Sequence, residues 1–212
     1  MATPNNEREY VLRTARENDV KFIRLWFTDI LGHLKGFAIN IDDLDDAIDR
    51  GVGFDGSAIE GFARIDESDM RAFPDPTTFT ILPWRPRQNA VARMFCNVCT
   101  PDGVPFAGDP RNVLKLNLEK LNKLGYTYYV GPELEFFYLK DSVSTIPLDN
   151  FGYYDQQSGH PSADLRRDTV LNLSDMGIPV KYSHHEGANS QHEIDLQYTD
   201  ALTMADNVMT HR

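Results

Sequence analysis

Apolar and polar positions alternate along some stretches of this chain and recur at helical spacing along others, and the two periods divide it into elements. Residues 5–17 carry an amphipathic helical pattern. The β-rich run Lys21-Phe-Ile-Arg-Leu-Trp-Phe-Thr28 predicts a strand that turns at 29–32 into a partner over 34–39. A short acidic helix over 42–49 stops at Gly51, as helices commonly stop at glycine. The stretch 52–76 is rich in Gly, Asp and Pro with few periodic apolar residues, and predicts a long loop of the kind that often carries function. Strands return at 78–82 and 91–98, followed by a turn at 101–103. A boundary falls at 106–110, where Asp109 caps and Pro110 opens a helix running to Gly125 with Leu114, Leu118, Leu121 and Leu124 as its core stripe. Then come a strand at 133–139, a loop over 141–159, a helix over 162–176, a hairpin around 183–195 and a last helix from Asp200. That helix reaches Arg212 without a terminating Gly or Pro, a pattern expected of a chain cut short.

The strand at 133–139 and the hairpin carry the candidate chemistry. In Glu133-Leu-Glu135 the carboxylates are two apart, so on a strand they share a face. Glu186 and Glu193 flank the turn formers Gly187-Ala-Asn-Ser190 and are expected on adjoining arms of the hairpin. Convergence of the two pairs would bring four negative charges together, which raises their pKa values or requires a cation. Oxygen-only ligation favours Mg2+ or Mn2+ over zinc, and such ions can neutralise charge on a phosphoryl group. The alternative is a solvated acidic face, the ordinary fate of Glu. Glu135 weighs against it, because its aromatic neighbours Phe136, Phe137 and Tyr138 call for burial, and a buried carboxylate needs a partner.

Composition narrows the classes. With 212 residues the chain can bury one large core or two small ones. No apolar run approaches the roughly 20 residues that span a bilayer, and the start lacks a secretory apolar core, so the expectation is a cytoplasmic protein with no membrane partner. The net charge of −11 and the lack of a basic stretch argue against a nucleic-acid partner. Cys96 and Cys99 are three apart in a strand pattern and so face opposite sides, which makes them two structural thiols and not half of a zinc site.

These motifs together resemble type I glutamine synthetases, over essentially the whole chain and in the N-terminal half of such an enzyme. The stretch Phe54-Asp-Gly-Ser-Ala-Ile-Glu-Gly-Phe62 with Glu67-Ser-Asp-Met70 is similar to the family's Asp-Gly-Ser-Ser signature. Gly131-Pro-Glu-Leu-Glu135 resembles its first metal strand, and His184-His-Glu186 with Gln191-His-Glu193 its second metal segment. Leu25-Trp-Phe-Thr28 and Asp55-Gly-Ser-Ala58 are similar to an actinobacterial-type branch. The resemblance implies an α+β fold: a β-grasp domain over 1–106, then over 107–212 the first part of an α/β catalytic domain whose antiparallel sheet forms an active site between subunits of a dodecamer.

By the same resemblance Glu135, Glu186 and Glu193 would hold one metal and Glu133 a second, whose remaining ligands have no counterpart here. Asp55 would bind and deprotonate ammonium in a neighbouring subunit, Tyr153 would line the amine pocket, and Glu186 would also take part in catalysis. ATP, glutamate and ammonia or another amine are the implied substrates. Departures are equally specific: Ala58 replaces a serine, Lys181 stands at a nucleotide-contact position usually held by an acid, and Asn189-Ser190 replaces a Pro-Gly. The family's arginine clamp for glutamate, its nucleotide loops and its flap have no counterpart, so this chain alone is expected to be inactive. The alternatives are a γ-glutamylpolyamine or other γ-glutamylamide synthetase, a truncated oligomerising or regulatory protein, and a carboxylate-pair hydrolase of the glycosidase kind.

Overall fold

The computed structural model describes residues 4–57, 59, 69–84, 88–156 and 158–212. It contains two compact units, 1–127 and 128–212.

The first unit is built on a mixed six-stranded sheet. Helix α1 (Pro4–Glu17) leads into β1 (Val20–Thr28), which turns back as β2 (Leu34–Asn40). The turn is held by Asp29, a buried carboxylate that accepts from the backbone N–H of Leu31 and of His33. A 3-10 turn (Ile41–Asp43) and α2 (Leu44–Arg50) follow, and α2 ends at Gly51 in the left-handed region with φ +65°. The acidic face of α2 is not wholly given to solvent, since Arg8 of α1 pairs with Asp45 at 2.7 Å and Asp49 at 2.6 Å.

Where a loop was expected over 52–76, two strands occur, β3 (Val52–Asp55) and β4 (Asp69–Pro74), paired antiparallel from Val52–Ala72 to Asp55–Asp69. The alternation that directs Met70 and Ala72 into the core is carried by few residues between Gly, Asp and Pro, too short a run for periodicity to register. Ala58 and Glu67 lie outside the described residues. The strand expected at 78–82 is reduced to β5 (Thr80–Ile81), because Asp75 accepts from the backbone and hydroxyl of Thr77 and winds Pro76–Thr78 into a 3-10 turn. Strand β6 (Ala90–Cys99) is central: it pairs parallel with β1 and antiparallel with β4 and β5, giving the order β2-β1-β6-β4-β3. Val11, Ile23, Leu25, Leu44, Ala92 and Met94 close the core. Cys96 and Cys99 are buried free thiols, and burial pushes the Cys96 thiol up, which keeps it protonated and unreactive.

Helix α3 (Pro110–Lys123) packs on β1 and β6, within the first unit. Asp109 caps it through Arg111 N and also accepts from Val98 N. The leucine stripe expected to be its core is only half-buried at Leu114, Leu118 and Leu121, and Leu124 is 71% exposed. The buried residues are Arg111 and Asn112, drawn inward because Arg111 pairs with Asp75 at 2.8 Å and donates to Asn97.

The second unit contains β7 (Tyr129–Val130), β8 (Glu133–Phe137), α4 (Pro161–Asp175), β9 (Val180–His185), β10 (Gln191–Leu196), β11 (Thr199–Asp200) and α5 (Ala201–His211). Its main sheet is antiparallel with the order β8-β10-β9, and β7 pairs with β11. Ile194, Leu196, Leu173, Ile178 and Met204 are buried in it. No helix among the described residues is long and apolar enough to cross a membrane.

Candidate metal and substrate site

Directly opposed residues of an antiparallel pair share a face, so the register of β8-β10-β9 decides which carboxylates meet. Glu193 on the central strand lies opposite Glu135 on one side and His184 on the other, while Asp195 lies opposite Glu133 and Tyr182. Glu186 follows β9 immediately, and its N–H donates to Gln191 O at 2.7 Å, which closes the hairpin and turns the side chain back toward the same face. Donor atoms of His184, Glu186 and Glu193 lie within 4.8 Å of one another, as do those of Glu133, Glu193 and Asp195. His184 bridges the glutamates, with Nδ1 3.4 Å from Glu186 Oε1 and Nε2 3.5 Å from Glu193 Oε2.

Glu135 stands differently from the expectation of burial. Alternation sends Phe136 to the other face, and the neighbour that shares its face, Phe137, is 54% exposed, so Glu135 is exposed too. Its carboxylate accepts from Gln191 Nε2. The buried acids are instead Glu193 and Asp195 on β10, which is covered by a strand on each side.

Electrostatics follow from that burial. The Glu193 carboxyl is pushed up to about 8, first by loss of water and then by Asp195 and Glu186. Both carboxylate oxygens of Asp195 are buried without a hydrogen bond of full geometry among the described residues, and Asp195, first by its charge, raises the neighbouring Tyr182 phenol. Crowded, poorly hydrogen-bonded carboxylates are costly as anions and suit a hard divalent cation, which would draw the Glu193 pKa back down. The donor set therefore fits Mg2+ or Mn2+, with the imidazole of His184 beside it.

Aromatic rings wall one side of the cluster. Tyr153 and Tyr154 lie 4.1 Å apart by ring centroids, and Tyr154 stands 4.6 Å from His184. The Tyr153 phenol, 56% exposed, is pushed up to about 12 by its hydrogen bond with Tyr154, then by burial and the charges of Tyr154, Glu186 and Glu193. Tyr154 is held at φ +60°, a region that disfavours a side chain, while its N–H donates to His185 O at 3.1 Å. Lys181 is exposed, its ammonium 5.0 Å from the Tyr182 ring centroid. Asp55 lies at the end of β3 in the first unit, where it accepts from the backbone N–H and hydroxyl of Ser57, and these two bonds lower its pKa.

Residues 19–101 match the glutamine synthetase β-grasp domain model and residues 107–212 the glutamine synthetase catalytic domain model. The chain belongs to the glutamine synthetase family. Glutamine synthetases of Mycobacterium tuberculosis and Mycolicibacterium smegmatis are 51% and 52% identical to it over 214 residues, covering 98% of this chain and 48% of theirs. The glutamine synthetase of Methanosarcina mazei is 49% identical over 209 residues. Among solved structures, a GmaS/ADP complex superposes with a TM-score of 0.85 at 29% identity, covering 95% of this chain and 47% of that one. Plasmodium falciparum glutamine synthetase matches in fold, with a TM-score of 0.83 at 24% identity. The chain spans about half the length of the curated relatives it matches. Relative to the family's models, the first compact unit extends past residue 107 because α3 packs on the β-grasp sheet.

Reading the sequence for glutamates alone left out Asp195, Tyr154, Tyr182 and a role for His184. Asp195 was within reach, since Glu193-Ile-Asp195 repeats the two-residue acid spacing of Glu133-Leu-Glu135. The position of His184 beside both glutamates depends on the strand register and had no comparable signal.

Proposed function

We propose that this chain carries the metal-binding part of an ATP-dependent carboxylate–amine ligase that forms glutamine from glutamate and ammonia. The observation that carries the reading is the buried acidic face of β10, where Glu193 and Asp195 meet Glu133, Glu186 and His184, in a chain of the glutamine synthetase family.

In this reading Glu135, Glu186 and Glu193 would hold one divalent ion, Mg2+ or Mn2+, and Glu133 would contribute to a second. Such ions, when bound, offset negative charge on the polyphosphate and polarise the transferred phosphoryl group. An oxygen of the glutamate γ-carboxylate attacks the terminal phosphorus of ATP and ADP leaves, giving an acyl phosphate. The amine nitrogen then attacks the acyl carbon, phosphate departs, and the surplus proton passes to a carboxylate. Asp55 of a second copy is the proposed acceptor of that proton, and Glu186 is the other carboxylate assigned a part in the reaction. The wall of Tyr153 and Tyr154 would stand beside the incoming amine, because aromatic faces tolerate an ammonium ion and do not compete for the acyl group. A homo-oligomer in the cytoplasm is part of the same proposal. Lys181 is assigned no nucleotide contact.

Manganese titration followed by calorimetry or electron paramagnetic resonance tests the site. Saturable binding is expected in the parent, weakened by at least about tenfold in Glu186→Gln and Glu193→Gln, since each removes a charged ligand. Equal affinity in the parent and both variants would overturn the assignment. The reaction itself is tested by glutamate-dependent ADP release from the chain joined to the further length its relatives carry.

A further inference from the structure

Behind the acidic face lies a second cluster in which every member is buried. Adjacent strand residues point to opposite faces, so His185 and His192 project away from the glutamates that follow them, Glu186 and Glu193. They oppose each other across the β9–β10 pair, their ring centroids 4.7 Å apart, and both reach one carboxylate from the loop before α4. Asp149 Oδ1 lies 2.9 Å from His185 Nε2, and Oδ2 lies 3.3 Å from His192 Nε2. Asp149 and both histidine side chains have no exposed surface.

The hydrogen-bond directions are set by the partners. Arg166 can only donate, so its contact at 2.5 Å makes His192 Nδ1 the acceptor and leaves the proton on Nε2, aimed at Asp149. His185 has an acceptor at each nitrogen, Asp149 at Nε2 and Glu186 O at 2.6 Å from Nδ1. Thus the His185 ring spans the gap between the carboxylate and the backbone of Glu186 itself. The turn is tied as well: Ser190 N donates to Asp149 Oδ1 at 3.0 Å, and Asp149 N donates to Ser190 Oγ at 2.7 Å. Ser190 holds φ +58°, a conformation that favours glycine, and this reciprocal clasp offsets the strain.

From this geometry we infer that Asp149 is a positioning residue that sets the separation of Glu186 and Glu193 by binding His185, His192 and the Ser190 turn from the back of the sheet. It touches no substrate. Its action is that of an outer carboxylate steering side chains one bond network away from a metal, and in this respect it rests on the metal-site reading. The same network reaches the aromatic wall, because His185 O accepts from Tyr154 N.

The test compares the parent chain with Asp149→Asn and Ser190→Gly, using Mn2+ affinity, hydrogen exchange at the Glu186 amide and thermal stability. In Asp149→Asn the new amide sets a donor against one histidine N–H, so Mn2+ affinity should fall by about 10- to 100-fold, the usual cost of losing such a partner. Exchange at Glu186 should quicken together with that fall. Ser190→Gly suits the left-handed backbone and folds whether or not Asp149→Asn does. Loss of its hydroxyl should weaken Mn2+ and speed exchange in the same direction, with the melting temperature unchanged or raised. A role in stability alone predicts the reverse, a lower melting temperature with affinity and exchange at Glu186 unmoved, and that result would overturn the inference. A parent chain that binds no Mn2+ would remove the metal reading while leaving the exchange measurement to decide the positioning role.

Discussion

At the scale of single residues, the side chains that matter most here are carboxylates, and their surroundings divide them into opposite kinds. Glu193 sits among other acids and is pushed up, whereas Asp29 sits among donors and is held down to about 2. Burial alone would raise Asp29, but the His33 backbone N–H, the His33 ring, Lys35 and the Leu31 backbone N–H outweigh it. The sign of the pH dependence follows. A carboxyl with a folded pKa below its ordinary 3.8 stabilises the folded state above pH 3.8, and that contribution is lost as the pH falls from 3.8 through about 2. Acid unfolding followed by circular dichroism should therefore show a shallower loss over that window in Asp29→Asn than in the parent, from a lower starting stability. Equal slopes would mean that Asp29 contributes nothing to acid sensitivity.

Elements show how little room the first sheet leaves. Strand β2 lies paired along β1 at Gly36, where an added Cβ would stand 2.5 Å from the backbone oxygen of Leu25 and 3.0 Å from the Trp26 ring. A carbonyl within a strand cannot swing aside without disturbing the pairing of Trp26 with Gly36 and of Leu25 with Phe37. Gly36→Ala should accordingly cost about 1–3 kcal/mol, the range for overpacking, and lower the urea midpoint. A midpoint equal to that of the parent would show that the edge strand yields freely. Helix α3 teaches the complementary lesson, since its leucines match a helical stripe while its packing is anchored by Arg111 on Asp75 and Asn97.

For the whole molecule, metal binding and stability are linked. A ligand that binds only the folded state adds about 2.7 kcal/mol at a concentration 100 times its dissociation constant. On the proposed metal site, relief of the crowded charge of Glu133, Glu186, Glu193 and Asp195 would be the source of that gain in this chain, which already carries a net charge of −11. Calorimetric scans should show a melting temperature that rises with added Mn2+ and returns to its starting value with a chelator. Glu193→Gln should melt close to the parent without metal near neutral pH, since a carboxyl pushed up to about 8 is already mostly protonated there, and should lose most of the metal response. A metal response of equal size in parent and variant would place the ion elsewhere.

The residues of the chain were enough to foresee most helices, β1, β2 and β6, the shared face of Glu133 and Glu135, and the hairpin arms of Glu186 and Glu193. Those features depend on local chemistry: Asp109 and Pro110 open a helix wherever they stand, and strand alternation has a period of two in any fold. Strands β3 and β4 escaped because their apolar alternation is too brief to outweigh the glycines, aspartates and prolines around it, and only pairing with each other and with β6 makes them strands. The burial of Glu193 in place of Glu135 was decided by strand order, since β10 is central and β8 has a neighbour on one side alone within its sheet. Asp149 lies 36 residues from His185 and 43 from His192, and nothing in its own neighbourhood marks it. Its place under both histidines comes from tertiary folding, because a buried carboxylate is stable only where the chain brings enough donors to meet it.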